Sequence, residues 1–377
     1  MKTKLVNYSL LYVLVILFGC NSQSQDKPIN KNGEINLEKE TEVSSTPKNI
    51  ILMIGDGMGI TQVTAGIIAR NNQSHLEKFP IVGLVKTTAL DDLVTDSAAG
   101  ATAMSTGKKT YNGAIGVGGN KEPLETILEI AAKNGLRTGL VATSSITHAT
   151  PASFFAHQPS RYLDEEIAYD MLDAPVDFFI GGGKDFFASR KDSLNLLDSL
   201  KNRGFKVYDE VADISSNTED KIACFIAEKQ PLSVLKGRKD ILLQASNKAL
   251  NHLQGENGFF LMIEGSQIDW AGHSNDSEGI VTEMIDFDIA IGKVLDFAKA
   301  DGNTLVIITA DHETGGYAIV GGDQKTRRID GSFITKNHTA AMVPIFAYGP
   351  GSEIFSGVYE NTAIFDKMLQ MINEKRK

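Results

Sequence analysis

Apolar residues in this chain gather in short unbroken runs, and between the runs they recur every three or four positions. The runs are NIILMI (49–54), IVGLVKT (81–87), RTGLVAT (137–143), DFFIG (177–181), FFLMIE (259–264), TLVIIT (304–309) and VPIFAYG (343–349). A strand with one wet face would alternate apolar and polar residues, so these runs predict strands covered on both faces. Helical periodicity covers 61–71, 98–106, 122–134, 163–172, 191–203, 239–254, 280–299 and 361–374. Strands alternating with helices imply an α/β fold, a three-layer α/β/α sandwich around a central, mostly parallel sheet. No internal repeat and no second apolar core interrupts the pattern, so residues 49–377 read as one folded domain.

In a parallel sheet, ligands collect beyond the carboxyl ends of the strands. Asp56 follows the first run, His148 and Thr150 follow the third, Glu264 closes FFLMIE, and Asp311 and His312 follow TLVIIT. Four strand ends therefore deliver metal-ligand residue types to one edge of the sheet.

The amino-terminal pattern differs. Lys2 and Lys4 precede LVNYSLLYVLVILFG, an apolar run of signal-peptide length that ends at Leu17-Phe18-Gly19-Cys20. That ending resembles a bacterial lipoprotein cleavage box. Residues 1–19 are expected to be a signal peptide, Cys20 the site of lipid attachment, and 20–48, which is polar, a flexible tether. The domain is then exported, held to a membrane by its lipid as a periplasmic or outer-membrane lipoprotein. Cys224 is the other cysteine of the chain and sits among apolar residues, as a core residue would.

Composition narrows the partners. Apolar residues at 42% and charged residues at 22% are globular values, and a net charge of −10 offers nucleic acid no basic field. An anionic substrate would need local cations to overcome that charge.

Candidate chemistry centres on VTDSAAGATAMSTGKKTYNGAIGV (94–117). Ser97 stands between Asp96 and a run of small residues that reads as the first turn of a helix, where free N–H groups and the helix dipole favour an anion. Alone, an Asp-Ser-Ala step reads as an ordinary helix cap. IGDGMGIT (54–61) is not a dinucleotide loop, because Ile60 replaces the third glycine and Asp56 would repel a pyrophosphate. EGSQIDWAGH (264–273) spaces Asp269 and His273 four apart, a metal-ligand spacing on a helix that a surface ion pair would share. DHETGG (311–316) adds Asp311 and His312, and His338 precedes the last run. THATPASFFAHQPSR (147–161) supplies Thr150 and Arg161, whose guanidinium can fork onto two phosphate oxygens.

Together and in this order, these segments resemble the metal-dependent alkaline phosphatases, most closely the short enzymes of cold-water bacteria. TDSAAGATA, TYNGAIGV, THATPASF and EGSQIDWAGH carry the likeness, which spans residue 49 to about 350. It implies that 49–377 is an alkaline phosphatase catalytic domain hydrolysing small phosphate monoesters through a phosphoserine on Ser97. It further implies two zinc ions and one magnesium. Asp269, His273 and His338 would hold one zinc, and Asp56, Asp311 and His312 the other. Asp56, Thr150 and Glu264 would hold magnesium. Arg161, oriented by Asp96, would grip the phosphate.

Where this chain has His148 and Trp270, enterobacterial relatives carry aspartate and lysine, and animal relatives carry histidine at both. His148 is therefore expected behind the third metal, and Trp270 beside it without the cation that a lysine would offer. The resemblance also implies a homodimer. The stretch between Val320 and Asn337 leaves little room for the large insert of longer relatives. Two other readings stay open from the residues: a phosphodiesterase or other hydrolase of the same superfamily, and a phosphate- or metal-binding lipoprotein.

Overall fold

All seven apolar runs become strands of one sheet. The computed structural model describes residues 46–215 and 221–374. In chain order its strands are β1 Asn49–Gly55, β2 Ile81–Lys86, β3 Arg137–Ser145, β4 Phe178–Gly182, β5 Phe205–Tyr208, β6 Lys221–Phe225 and β7 Phe259–Gly265. There follow β8 Thr304–Thr309, β9 Glu313–Thr314, β10 Ala318–Asp323, β11 Arg328–Ser332, β12 His338–Thr339, β13 Val343–Tyr348 and β14 Gly357–Glu360. Ten of them form the main sheet in the order β14-β2-β13-β8-β1-β7-β3-β4-β6-β5. Only β13 in that sheet runs against its neighbours β2 and β8, so the sheet is mostly parallel as the apolar runs imply.

Helices cover both faces. Ile60–Ala69, Ile241–Leu253 and Ser277–Asp301 pack together on one side, and Ser97–Thr106, Ile127–Lys133 and Thr362–Glu374 pack together on the other. β1, β7 and β8 are buried along their whole length between these layers. The arrangement is a three-layer α/β/α sandwich.

Differences from the sequence expectation have local causes. β5 and β14 are edge strands with exposed positions, so their residues mix polar with apolar and no run stands out. The helix expected from 122 starts only at Ile127, where Thr126 and Glu129 form a reciprocal capping box. The one expected over 191–203 starts at Leu196, with the Asn195 side chain capping Leu197 and Asp198. Asp276 caps the helix Ser277–Asp301 by accepting from Gly279 N at 3.0 Å, and Gly302 ends it at φ 69°. His252 is half-buried with its ring centroid 5.3 Å from that of Phe178, and Cys224 is buried in β6. The Val320–Asn337 stretch contributes to an antiparallel hairpin of β10 and β11.

The proposed leader, the lipid-bearing Cys20 and nearly all of the tether lie outside the described residues. No helix among the described residues is long and apolar enough to cross a membrane.

Candidate metal and phosphate site

Register brings the chemistry together. Ile54 of β1 lies beside Glu264 of β7 and Thr309 of β8, so the residues just after each strand leave the sheet at one level. Asp56 follows β1, and Asp311 and His312 follow β8. Past β7 the chain enters the helix Gln267–His273, whose i and i+4 positions put Asp269 and His273 on one face. β9 pairs with β12, which carries His338 back beside Thr314. Past β3, His148 stands at the cap of the helical turn Ala149–Ala152, and Thr150 lies within that turn.

Three groups of side chains converge there, each with ligand atoms within 4.8 Å of one another: Asp269, His273 and His338; Asp56, Asp269 and His312; Asp56, His148 and Glu264. In the first, His273 Nε2 lies 3.3 Å from Asp269 Oδ2, His338 Nε2 lies 3.5 Å from Asp269 Oδ1, and the two Nε2 atoms are 3.1 Å apart. Each ring directs Nδ1 at a backbone carbonyl, His338 at Thr95 O (2.9 Å) and His273 at Lys336 O (2.5 Å). A carbonyl only accepts, so Nδ1 carries the hydrogen and the Nε2 lone pairs face each other. That contact is repulsive unless a proton or a metal cation lies between them.

In the second group, His312 Nε2 is 3.5 Å from Asp56 Oδ1, and Asp311, outside that trio, brings Oδ2 within 3.3 Å of the same nitrogen. Asp311 is anchored through Oδ1, which accepts from Gly57 N and His312 N. Both oxygens of Asp56, Oδ2 of Asp311, Oε1 of Glu264, Oγ1 of Thr150 and Nδ1 of His148 are buried and lack hydrogen-bond partners. Leaving one buried charge unpaired costs several kcal/mol. Against a typical net stability of about 5–15 kcal/mol, a cluster of such carboxylates must either take up protons or bind cations.

The electrostatics agree. Burial pushes Asp56 well above the ordinary carboxylate range, and Asp311 and Asp269 push it further. Burial raises Glu264 to about 7 and, with Asp269, raises Asp311 to about 6. Burial would raise Asp269 too, but hydrogen bonds from His273 and His338 hold it well below the usual value. Burial also lowers His312, and lowers His148 to about 3, leaving both rings neutral as metal ligands must be. The donor set, carboxylates with neutral imidazoles and a hydroxyl, fits zinc and magnesium.

Ser97 opens the helix Ser97–Thr106, and its Oγ lies 3.2 Å from His312 Nε2. Asp96 is the cap, accepting from Ala99 N at 2.9 Å through Oδ1 and from Arg161 Nη1 at 3.1 Å through Oδ2. Arg161 Nη2 is 3.3 Å from His148 Nε2, and the Trp270 ring stands edge-on to His148 at 5.9 Å. The small residues after Ser97 have a packing reason. A Cβ at Gly100 would lie 3.2 Å from Cβ and O of Asp311, tighter than an ordinary contact, so glycine there lets the helix sit close to β8's exit without displacing Asp311.

A family model described as alkaline phosphatase matches residues 47–329. The chain belongs to the alkaline phosphatase family. Alkaline phosphatase 3 of Bacillus subtilis (strain 168) is 37% identical across 87% of this chain and 89% of its own length. The Escherichia coli (strain K12) alkaline phosphatase is 33% identical across 85% of each. Among solved structures, the alkaline phosphatase of the Antarctic bacterium TAB5 superposes with a TM-score of 0.83 at 45% identity, covering 87% of this chain and 98% of that one. A cold-active alkaline phosphatase of a psychrophilic Shewanella species gives 0.80 at 31% identity, covering 86% and 99%. A single-histidine variant of the TAB5 enzyme has Mg bound in a site termed M3. The resemblance to cold-water enzymes is therefore correct. This alkaline phosphatase is a metal-binding phosphoric monoester hydrolase.

Every site residue singled out in the sequence of the catalytic domain is brought to this edge of the phosphatase sheet. Two contributors were missed. Thr314 Oγ1 donates to Asp269 Oδ1 and lies near His312 Nδ1, and Asn112 grips the loop that carries Asp96. Both sit inside recognised segments, DHETGG and TYNGAIGV, but nothing in their residue type pointed to a contact.

Proposed function

We propose that this enzyme cleaves phosphate monoesters through a phosphoserine on Ser97. The reading rests above all on Ser97 Oγ lying 3.2 Å from His312 Nε2, at a buried helix start with Arg161 held beside it by Asp96. One zinc would be held by Asp269, His273 and His338, and a second by Asp56, Asp311 and His312. Magnesium would be held by Asp56, Thr150 and Glu264, with Asp56 shared and His148 behind. When bound, these ions supply the positive charge that eases ionisation of a hydroxyl and neutralises phosphoryl oxygens.

The chain's own groups then have defined tasks. Asp96 fixes Arg161, whose two terminal nitrogens face nonbridging oxygens of the monoester. Ser97 Oγ loses its proton and attacks phosphorus in line. The Oγ–P bond forms, the bond to the alcohol oxygen breaks, and the departing alcohol takes up a proton. Water then attacks the phosphoserine, releasing phosphate and restoring the Ser97 hydroxyl. Free N–H groups of the first helical turn assist by facing the anion.

Residues 1–19 act as a signal peptide, lipidated Cys20 and the tether to residue 48 hold the 49–377 domain outside the cytoplasm, and the enzyme scavenges phosphate there, as a homodimer.

The decisive experiment compares wild type with Ser97→Ala after loading with zinc and magnesium. A nitrophenyl phosphate should be turned over by wild type alone, and mass spectrometry at low pH should find one added phosphoryl group on the peptide carrying Ser97. Undiminished turnover by Ser97→Ala would refute the mechanism. Loss of labelled lipid in Cys20→Ser tests the anchor.

A further inference from the structure

The segment TYNGAIGV belongs to neither ligand set nor nucleophile, yet it touches both sides of the phosphate site. The helix Ser97–Thr106 ends at Gly107, which adopts φ 71°, and the chain doubles back to the helix's own beginning. There the Asn112 amide takes hold of the loop before Ser97. Its Oδ1 accepts from Asp96 N at 2.8 Å and its Nδ2 donates to Val94 O at 3.0 Å. One side-chain amide thus pairs with two backbone groups two residues apart, as a neighbouring strand would.

The following residues grip the loop that carries Arg161. Arg161 N donates to Gly113 O at 2.7 Å, Tyr111 Oη donates to Pro159 O at 2.9 Å, and Ile115 and Gln158 exchange backbone bonds of 3.0 and 2.9 Å. A third tie fastens the segment to the helix itself. Thr102 Oγ1 donates to Ala114 O and accepts from Gly116 N, both at 3.1 Å. Gly116 has φ 58°, and a Cβ there would stand 2.1 Å from Ala156 O, so this close seating requires glycine.

We infer that residues 111–116 are a brace that sets the separation between Ser97 and Arg161, with Asn112 a positioning residue for phosphate binding. The inference rests on the proposed roles of Ser97 and Arg161. Asn112 is exposed, so water can replace its hydrogen bonds and its removal should barely alter global stability. The loop it holds, however, carries the cap that orients Arg161, and small misplacements of such groups weaken binding strongly.

The test uses metal-loaded enzyme, with inorganic phosphate as inhibitor and a nitrophenyl phosphate as substrate. Two lost hydrogen bonds predict that Asn112→Ala raises the inhibition constant for phosphate and KM about tenfold, with zinc content and Tm unchanged. Tyr111→Phe, which removes the tie to Pro159, should raise both about threefold, and it carries the test should Asn112→Ala fail to fold. In an Arg161→Ala background, Asn112→Ala should have no further effect on phosphate inhibition, because the group it positions is gone. An unchanged inhibition constant in folded Asn112→Ala overturns the brace, as does the same factor in both backgrounds. If Arg161→Ala alone leaves phosphate inhibition unaltered, the reading of the site fails first and the brace falls with it.

Discussion

Thr314 Oγ1 donates a 2.5 Å hydrogen bond to Asp269 Oδ1 and stands 3.3 Å from His312 Nδ1. With its one hydrogen given to Asp269, the hydroxyl can only accept from His312, which places hydrogen on Nδ1 and leaves Nε2 free toward Ser97. One threonine therefore orients groups assigned to both zinc positions. Losing such an outer contact costs roughly 10- to 100-fold in metal affinity. Thr314→Val should lower zinc affinity by at least about tenfold in a chelator competition, with Thr314→Ser close to wild type. Equal affinity of the valine variant and wild type would exclude this role.

Metal uptake should release protons in a defined pH range. The hydrogen bond with Asp269 raises His273 from its usual 6.5 to about 9. In the metal-free protein His273⁺ therefore stabilises the fold fully below pH 6.5, and that contribution fades as pH rises through about 9. Zinc needs the neutral ring, so binding between these limits must expel the proton. Calorimetry in buffers of different ionisation enthalpy should show proton release with zinc, and apparent affinity should climb with pH until about 9. A flat affinity from pH 7 to 9 would argue against His273 as a ligand.

The parts of the molecule legible in the sequence are those where burial is extreme. β1, β7 and β8 lie under helices on both faces, so their residues form unbroken apolar runs, and the acidic residue at or two positions beyond the end of each run marks the site. Asp269 and His273 were visible because a helix turns their spacing into a shared face. His338 was different, since it reaches Asp269 only through β9 and β12, paired strands of two residues each, too short for any periodicity. The family resemblance supplied it. Thr314 reaches Asp269 across 45 residues of chain and Asn112 reaches Asp96 and Val94 across 16 and 18, and such isolated hydrogen bonds leave no pattern along a sequence.

Trp270 bears on product affinity. Its ring stands edge-on to His148, whose Nε2 faces Arg161, so position 270 borders the groups proposed to bind phosphate without offering them a charge. Trp270→Lys would place an ammonium there, and one added charge at intermediate dielectric should tighten phosphate inhibition by roughly tenfold. The gain should shrink as salt is raised, because the site's rim is open to screening. If the inhibition constant of Trp270→Lys equals that of wild type, the residue does not limit phosphate affinity.

The His157–Glu129 pair should give the fold a pH dependence independent of metal. His157 Nε2 lies 3.3 Å from Glu129 Oε1, and its Nδ1 is 2.8 Å from Gly116 O, so the charged ring can donate at both nitrogens. The hydrogen bond with Glu129, opposed by burial, raises His157 above its usual 6.5. Burial acts to raise Glu129 as well, but the bonds from His157 and Thr126 outweigh it and hold Glu129 below its usual 4.5. A raised histidine contributes fully below its unfolded value and loses that contribution as pH rises through the folded one. A depressed carboxylate contributes above its unfolded value and loses it as pH falls through the folded one. Both are satisfied between pH 4.5 and 6.5. Both side chains are about a quarter exposed, so solvent screening limits the charge contribution to about 1 kcal/mol. Thermal melts of wild type and His157→Gln should therefore differ more at pH 5.5 than at a pH above the raised folded-state value of the ring, and a difference that stays constant as pH rises would show that His157 stabilises by packing alone.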